Sequence, residues 1–442
     1  MKELKYIVNK YLDFSVGIKD FDESAFVERL KLEHSKCKHH SKPLVLTLLA
    51  EKYPANVDYK IMSDGSKSCD SSFYNGSGGN VLVYWRQYKL FKHLCNKEKM
   101  QEYMQNTITA FETNVKVLKS GNIPMDIQKS PSFFIGSAGL YTIGTLMYKE
   151  MGNTSEMLNC YKKVMGSLMM CKGKEANDEL IYGNAGYLYC LLLLYMEDKI
   201  SFNCKTEIIE VVDLIKKEGA VNRVSGILIY TFPRTTKKFY YGAAHGLMGI
   251  LYILMKALMI IDELSKDKEL RKSIESSAEF LLSLQYPSGN FPISYGSESE
   301  KLVHFCNGAP GSISFLLSAY KLFKRDEYLN AALKAGNITW QEGILLKGNG
   351  LCHGITGNAY ALHSLYRATG DDKWKYRCCM LVDASWNLEV QEIVKKYKDE
   401  TRISVGIPDT PYSLMEGIGG IAVLYADLMG KPELVRFPGF EL

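Results

Sequence analysis

The sequence predicts an all-α fold of seven helix-pair repeats, closed as an α/α toroid or left open as a helical solenoid. Three observations predict it. A Gly-x-x-Gly signature occurs seven times, with second glycines at Gly79, Gly139, Gly186, Gly249, Gly311, Gly357 and Gly420. Nine residues past each of these glycines stands an apolar or aromatic residue: Tyr88, Tyr148, Tyr195, Leu258, Tyr320, Tyr366 and Met429. Between the signatures lie charged, amphipathic segments such as KELRKSIESSAEFLLSLQY. A position kept at one offset through every repeat implies one helix used repeatedly.

Each repeat is expected to hold two helices. The glycine-led helix is apolar on most sides, as in GYLYCLLLLYM, and so is predicted to be fully buried. The tyrosine stripe is read as part of that core. Glycines at the helix start permit tight turns and close backbone approach. The amphipathic segments would form an outer layer. Signature spacings are 60, 47, 63, 62, 46 and 63 residues, so four repeats carry extra length. It falls in loops such as NRVSGILIYTFPRTTKKFYY and YPSGNFPISYGSESEKLV, which run directly into the signatures. Long loops on one face of a rigid scaffold are where binding usually concentrates.

Composition narrows the classes. At 442 residues and 46% hydrophobic, the chain can bury a large core. The unbroken repeat predicts one domain over residues 71–442. Residues 1–70 are expected to form an N-terminal helical extension packed on it, with helical patterns in FDESAFVERLKLEHS and PLVLTLLAEKY. Net charge is +5, with lysines dispersed and no basic stripe interleaved with stacking aromatics, so nucleic acid is not an expected partner. The longest apolar runs are too short to span a bilayer. Eleven cysteines without a secretory signal suggest a cytoplasmic protein with reduced thiols, at most peripheral to membranes.

Two cysteines share one register of the repeat. Cys306 in FCNGAPG and Cys352 in LCHGITG each stand two residues before a first glycine, and His353 follows Cys352. A ring that points equivalent positions at one axis would unite Cys306, Cys352 and His353. Two thiolates and an imidazole suit zinc, with one coordination position left open. The competing reading is that these are buried thiols that simply fill space. His245 stands one residue before its glycine, in the register of His353, and titrates near neutral pH. His34, Cys37, His39 and His40 in HSKCKHH are metal-binding by type, but a solvated basic helix fits them better. Cys378 and Cys379 are expected to be buried thiols of an outer helix.

GAAHGLMGI, FCNGAPG, GNGLCHGITGNAYA and SLMEGIGGIAVLYADLM resemble the LanC-like family, relatives of the lanthionine synthetase C cyclases. RFPGFEL and DELIYGNAGYLY resemble its animal branch. The resemblance implies the closed α/α toroid over the solenoid. It implies zinc on Cys306, Cys352 and His353, and an active-site histidine at His245. It maps an acidic residue to Asp178 or Glu179 without fixing which. Family cyclases add a cysteine thiol across the double bond of a dehydrated serine or threonine, and eukaryotic members bind glutathione. The implied activity is addition of glutathione or a peptide cysteine to dehydroalanine or dehydrobutyrine in peptides or proteins. Lys301 is a candidate contact for a glutathione carboxylate. Some relatives bind SH3 domains, and Pro408 and Pro411 form a lone PxxP.

The chain departs from the family at three places. Phe305 and Asn307 flank Cys306 where Trp and His are common, so Asn307 offers no acid or base. Ser137 replaces a frequent acid, and MKELKYIVNK offers only lysines where relatives place an arginine. An alternative reading is a zinc- and glutathione-binding signalling adaptor without turnover. A prenyltransferase-like zinc site is disfavoured, because it would want Asp, Cys and His.

Overall fold

The computed structural model describes residues 70–121, 123–173, 176–221, 226–233, 236–297, 299–385, 410 and 412–442. The expected N-terminal extension, the HSKCKHH segment and the Pro408–Pro411 pair lie outside these residues. The described chain is helical, with one isolated antiparallel bridge between Tyr240 and Ser294. The paired helices in chain order are α1 (Gly78–His93) and α2 (Lys97–Ser120), then α3 (Ser137–Glu150) and α4 (Thr154–Gly166). Next come α5 (Asn184–Glu197) and α6 (Lys205–Val221), α7 (Leu247–Ile260) and α8 (Lys268–Ser283), and α9 (Ala309–Phe323) and α10 (Asp326–Glu342). The series closes with α11 (Ile355–Thr369), α12 (Asp372–Ala384) and α13 (Gly419–Met429). Every signature therefore starts a helix. No long partner helix follows α13 among the described residues, so six of the seven expected pairs are seen whole. No described helix is long and apolar enough to cross a membrane.

The chain divides into two compact units, residues 1–122 with 336–437, and residues 123–335 with 438–442. In the first, α13 packs against α1 and α11, while α2 and α12 lie on α1 and α11. In the second, α3, α5, α7 and α9 pack in succession, with α4, α6 and α8 laid on them.

The two helix classes differ in burial as their patterns require. Helix α7 buries 11 of its 14 residues. Helix α8 buries Leu270, Ser273, Ile274, Ser277, Ala278 and Leu281, one stripe at 3–4-residue spacing. Each fully buried leucine contributes about 1.5–3 kcal/mol. The tyrosine stripe is less buried than expected. Tyr88 and Tyr148 are core residues, but Tyr195, Tyr320 and Tyr366 are half-buried. Lys199 and Lys375 lie over the rings of Tyr195 and Tyr366. Cys378 and Cys379 are buried on α12, as expected.

The helices also begin differently. Outer helices take side-chain caps: Asn96, Asn153, Asp267 and Asp371 accept from the first-turn amides of α2, α4, α8 and α12. The glycine-led helices have none. In α5, α7 and α11 the first amide donates to a carbonyl seven residues earlier in the incoming loop, whereas Ala309 N of α9 donates to the Asn290 side chain at 2.7 Å. Asn184 N bonds Asn177 O at 2.8 Å, Leu247 N bonds Tyr240 O at 3.0 Å, and Ile355 N bonds Gly348 O at 3.0 Å. The loop thus satisfies amides that a helix start otherwise leaves open. It must lie flat on the helix end to do so. A Cβ on Gly311 would sit 2.0 Å from Phe305 O and 2.8 Å from the Cβ of Ala243 in the preceding repeat. Gly79 and Gly420 likewise meet Leu414 and Leu351 of neighbouring repeats, at 2.8 and 3.0 Å.

Two polar features complete the interior. Within the first unit, Asp427 of α13 is buried and bonds Arg86 Nη1 at 3.1 Å and Tyr360 Oη at 2.7 Å, tying α13 to α1 and α11. Within the second, residues 438–442 pack under the loop that carries Cys306. The Phe440 ring lies 4.3 Å from Tyr252 and 5.1 Å from Phe305, and Ser314 Oγ donates to Glu441 at 2.7 Å. Phe305 is therefore a packing residue, 3% exposed.

The glycine account separates two substitutions. Gly311→Ala is expected to destabilise by about 1–3 kcal/mol, the usual cost of overpacking. Gly166→Ala, where nothing lies within 4 Å of the added methyl, should be neutral or stabilising by about 0.5–1 kcal/mol. Denaturant unfolding of both variants checks this, and equal effects would refute it.

Candidate active site

The loop that caps α5 delivers two acids. Asp178 turns toward the helix start, where its Oδ1 accepts from Asn184 Nδ2 at 2.8 Å. Glu179 turns the other way. Its Oε2 lies 2.8 Å from Nδ1 of His245, and its two oxygens also accept from the amides of Ile181 at 2.8 Å and Tyr182 at 2.6 Å. Of the two acids the sequence left open, Glu179 is the histidine's partner. Its side chain is 2% exposed, that of His245 30%. A carboxylate held by two amides accepts from Nδ1–H, which leaves Nε2 of a neutral ring as the open acceptor.

The ring is fixed in plane as well as by its hydrogen bond. Phe232 stacks on His245 with centroids 4.5 Å apart and planes at 2°, and Tyr182 lies at 6.1 Å and 25°. Phe232 comes from the long loop between α6 and α7. That loop is tied to the next one by Tyr241 N to Ile293 O at 3.0 Å and Tyr295 N to Phe239 O at 2.9 Å. Burial pulls the His245 pKa down, but the charge and hydrogen bond of Glu179, with the Cys306 sulfur, outweigh it. The net shift is upward from the ordinary imidazole value. Asp178, Glu179, Phe232 and His245 line one small cavity. Asn177 lines that cavity and also a neighbouring cleft of about 640 Å³, whose wall includes Tyr182.

Cys306 belongs to the same unit. It is half-buried in the loop that enters α9, and its carbonyl accepts from Ala244 N at 3.4 Å, which binds this loop to the one carrying His245. Asn307 O accepts from His304 N, so Asn307 helps shape the turn. Lys301 is exposed on the same loop.

Cys352 and His353 belong to the other unit, in the turn before α11. Cys352 is buried and His353 half-buried. Cys352 N donates to Met415 O at 2.7 Å, and Met415 N donates to Tyr74 O at 3.2 Å. The Tyr74 hydroxyl donates to Cys352 Sγ at 2.9 Å. None of the nine described cysteines is in a disulfide. Burial pushes the thiols of Cys160, Cys190 and Cys204 up to about 12, and those of Cys171 and Cys378 higher still. Those five are structural. As donor types, Cys306, Cys352 and His353 make a set able to hold a metal ion.

Sequence reasoning did not single out Phe232 or Tyr74. Phe232 lies in an irregular loop with no periodic signal. Tyr74 had a signal: it stands two residues before Gly76, the register of Cys306 and Cys352.

Comparison with known proteins agrees with this description. The model of a family described as lanthionine synthetase C-like protein matches residues 67–442. The chain is 30% identical over 395 residues to the glutathione S-transferase LANCL1 of Danio rerio, covering 86% of this chain and 88% of that one. It is 29% identical over 386 residues to the LanC-like protein GCL1 of Arabidopsis thaliana, covering 84% and 82%. The solved structure of a nisin cyclase matches with a TM-score of 0.60 at 16% identity, over 86% of this chain and 92% of that one. That likeness shows the fold, which is the expected α/α toroid. From residue 67 to its last residue, this chain belongs to the lanthionine synthetase C-like family.

Proposed function

We propose that this protein is an enzyme that adds a thiol, of glutathione or a peptide cysteine, to dehydroalanine or dehydrobutyrine residues. The observation that carries the reading is the Glu179–His245 pair, with Nδ1 engaged and Nε2 open. The resemblance to a relative named a glutathione S-transferase supports glutathione as the donor. The nine described cysteines, none of them in a disulfide, suit a reducing compartment such as the cytoplasm.

Cys306, Cys352 and His353 are the proposed ligands of one zinc ion, which when bound ionises a thiol at neutral pH and leaves its sulfur nucleophilic. The donors fit that role by type. Two thiolates and an imidazole leave one tetrahedral position open, and Cys352 already accepts a hydrogen bond at its sulfur. The chain's own residues manage the proton. His245 Nε2 takes the proton of the incoming thiol while Glu179 holds Nδ1–H and balances the imidazolium charge. Sulfur bonds to the β-carbon of the alkene, and His245 returns the proton to the α-carbon. The addition balances without oxidant or leaving group. Phe232 and Tyr182 keep the ring in plane through both transfers. Asp178 is assigned to the start of α5, and Lys301 to a carboxylate of glutathione.

His245→Ala should lower the rate of glutathione addition to a dehydroalanine peptide by about 10²–10⁴, followed as mass gain. Equal product from wild type and variant would refute the catalytic assignment of His245. A base raised in pKa stays protonated to higher pH, so the acid limb of the pH–rate profile should lie above the ordinary histidine range. Glu179→Gln removes the main upward influence and should move that limb to lower pH, whereas Asp178→Asn should leave it in place. A limb indifferent to Glu179 would refute the pairing. Metal analysis should find one zinc per chain, lost in Cys352→Ala; a native protein that takes up no zinc would remove the metal assignment.

A further inference from the structure

We propose that Tyr74 is a positioning residue for the Cys352 sulfur, an inference that rests on the zinc reading above. Three observations within one unit carry it. Tyr74 Oη donates to Cys352 Sγ at 2.9 Å, a short contact for an O–H···S bond. The two residues are also joined through the backbone, because Cys352 N bonds Met415 O and Met415 N bonds Tyr74 O. The hydroxyl therefore closes a ring of contacts whose other links are main-chain, and it reaches the sulfur from a fixed base. Finally, Tyr74, Cys352 and Met415 all stand two residues before the first glycine of their signatures, at Gly76, Gly354 and Gly417. The repeat that supplies a sulfur in one loop supplies a hydrogen-bond donor to that sulfur in another.

The chemistry gives this contact a purpose. A neutral thiol is a weak acceptor, whereas a thiolate accepts strongly. A phenol aimed at Cys352 favours the ionised sulfur, fixes the direction of its lone pairs and withdraws part of its charge. Cys352 is thereby held as a ligand and made a poorer nucleophile, leaving attack to the thiol brought by the substrate. Groups that orient metal ligands in this way typically contribute a factor of about 10–100 in metal affinity.

Tyr74→Phe removes the hydroxyl and keeps the ring. Zinc affinity of wild type and variant is measured by chelator competition. The sulfur-to-cobalt absorption band is recorded after cobalt(II) substitution, and the melting temperature of the metal-free proteins is compared. The expected result is zinc affinity about 10–100-fold weaker, a cobalt band at longer wavelength because the sulfur is more electron-rich, and unchanged melting of the metal-free protein. Unchanged affinity and an unmoved band, with wild type binding zinc, would overturn the role of Tyr74 alone. Wild type that binds neither metal would overturn the zinc reading with it. Should the variant lose stability, the cobalt band still decides, because only folded, metal-loaded protein contributes to it.

Discussion

The loop laid flat across the start of each glycine-led helix is the constraint on which the site depends. Before α5, α7 and α11 its carbonyls bond the first helical amide at a seven-residue offset, in the way Asn177 serves Asn184 and Tyr240 serves Leu247. The second glycine sits beneath it, where Gly311 leaves no room for a methyl group between Phe305 O and Ala243. A loop so pinned fixes the residues just before its first glycine. Those are the positions of Cys306, Cys352, His353, His245 and Tyr74. Chemistry placed there inherits the rigidity of the scaffold.

This division of labour explains the contrast between the helix starts. An outer helix needs only a local cap, so a single Asn or Asp suffices. An inner helix start must also carry functional side chains, so at α5, α7 and α11 its first amide is closed by main chain, and at α9 by the remote Asn290. Glu179 shows the benefit: a carboxylate held by the Ile181 and Tyr182 amides still turns one oxygen to His245. The stacked Phe232 adds the remaining restraint from a loop that belongs to no repeat pattern.

The fold was legible because the steric demand at the glycines repeats, and a repeated demand leaves a periodic trace. The shared register of Cys306 and Cys352 was legible for the same reason. The choice between Asp178 and Glu179 was not, since adjacent residues in an irregular loop carry no periodic label and only the turn at Ile181 decides which faces His245. Tyr74 stood in the right register but is not a metal-ligand type, so a search for donors passed over it. The tyrosine stripe misled in part: at one and the same offset Tyr88 and Tyr148 are buried, whereas Tyr195, Tyr320 and Tyr366 are half-buried.

The proposed zinc ion takes two sulfurs, from Cys306 and Cys352, and the imidazole of His353. Zinc K-edge X-ray absorption on the zinc-loaded protein tests this ligand set most directly. Two sulfur scatterers at about 2.3 Å and nitrogen or oxygen at about 2.0–2.1 Å are expected. A first shell with no sulfur, or with one, would contradict it.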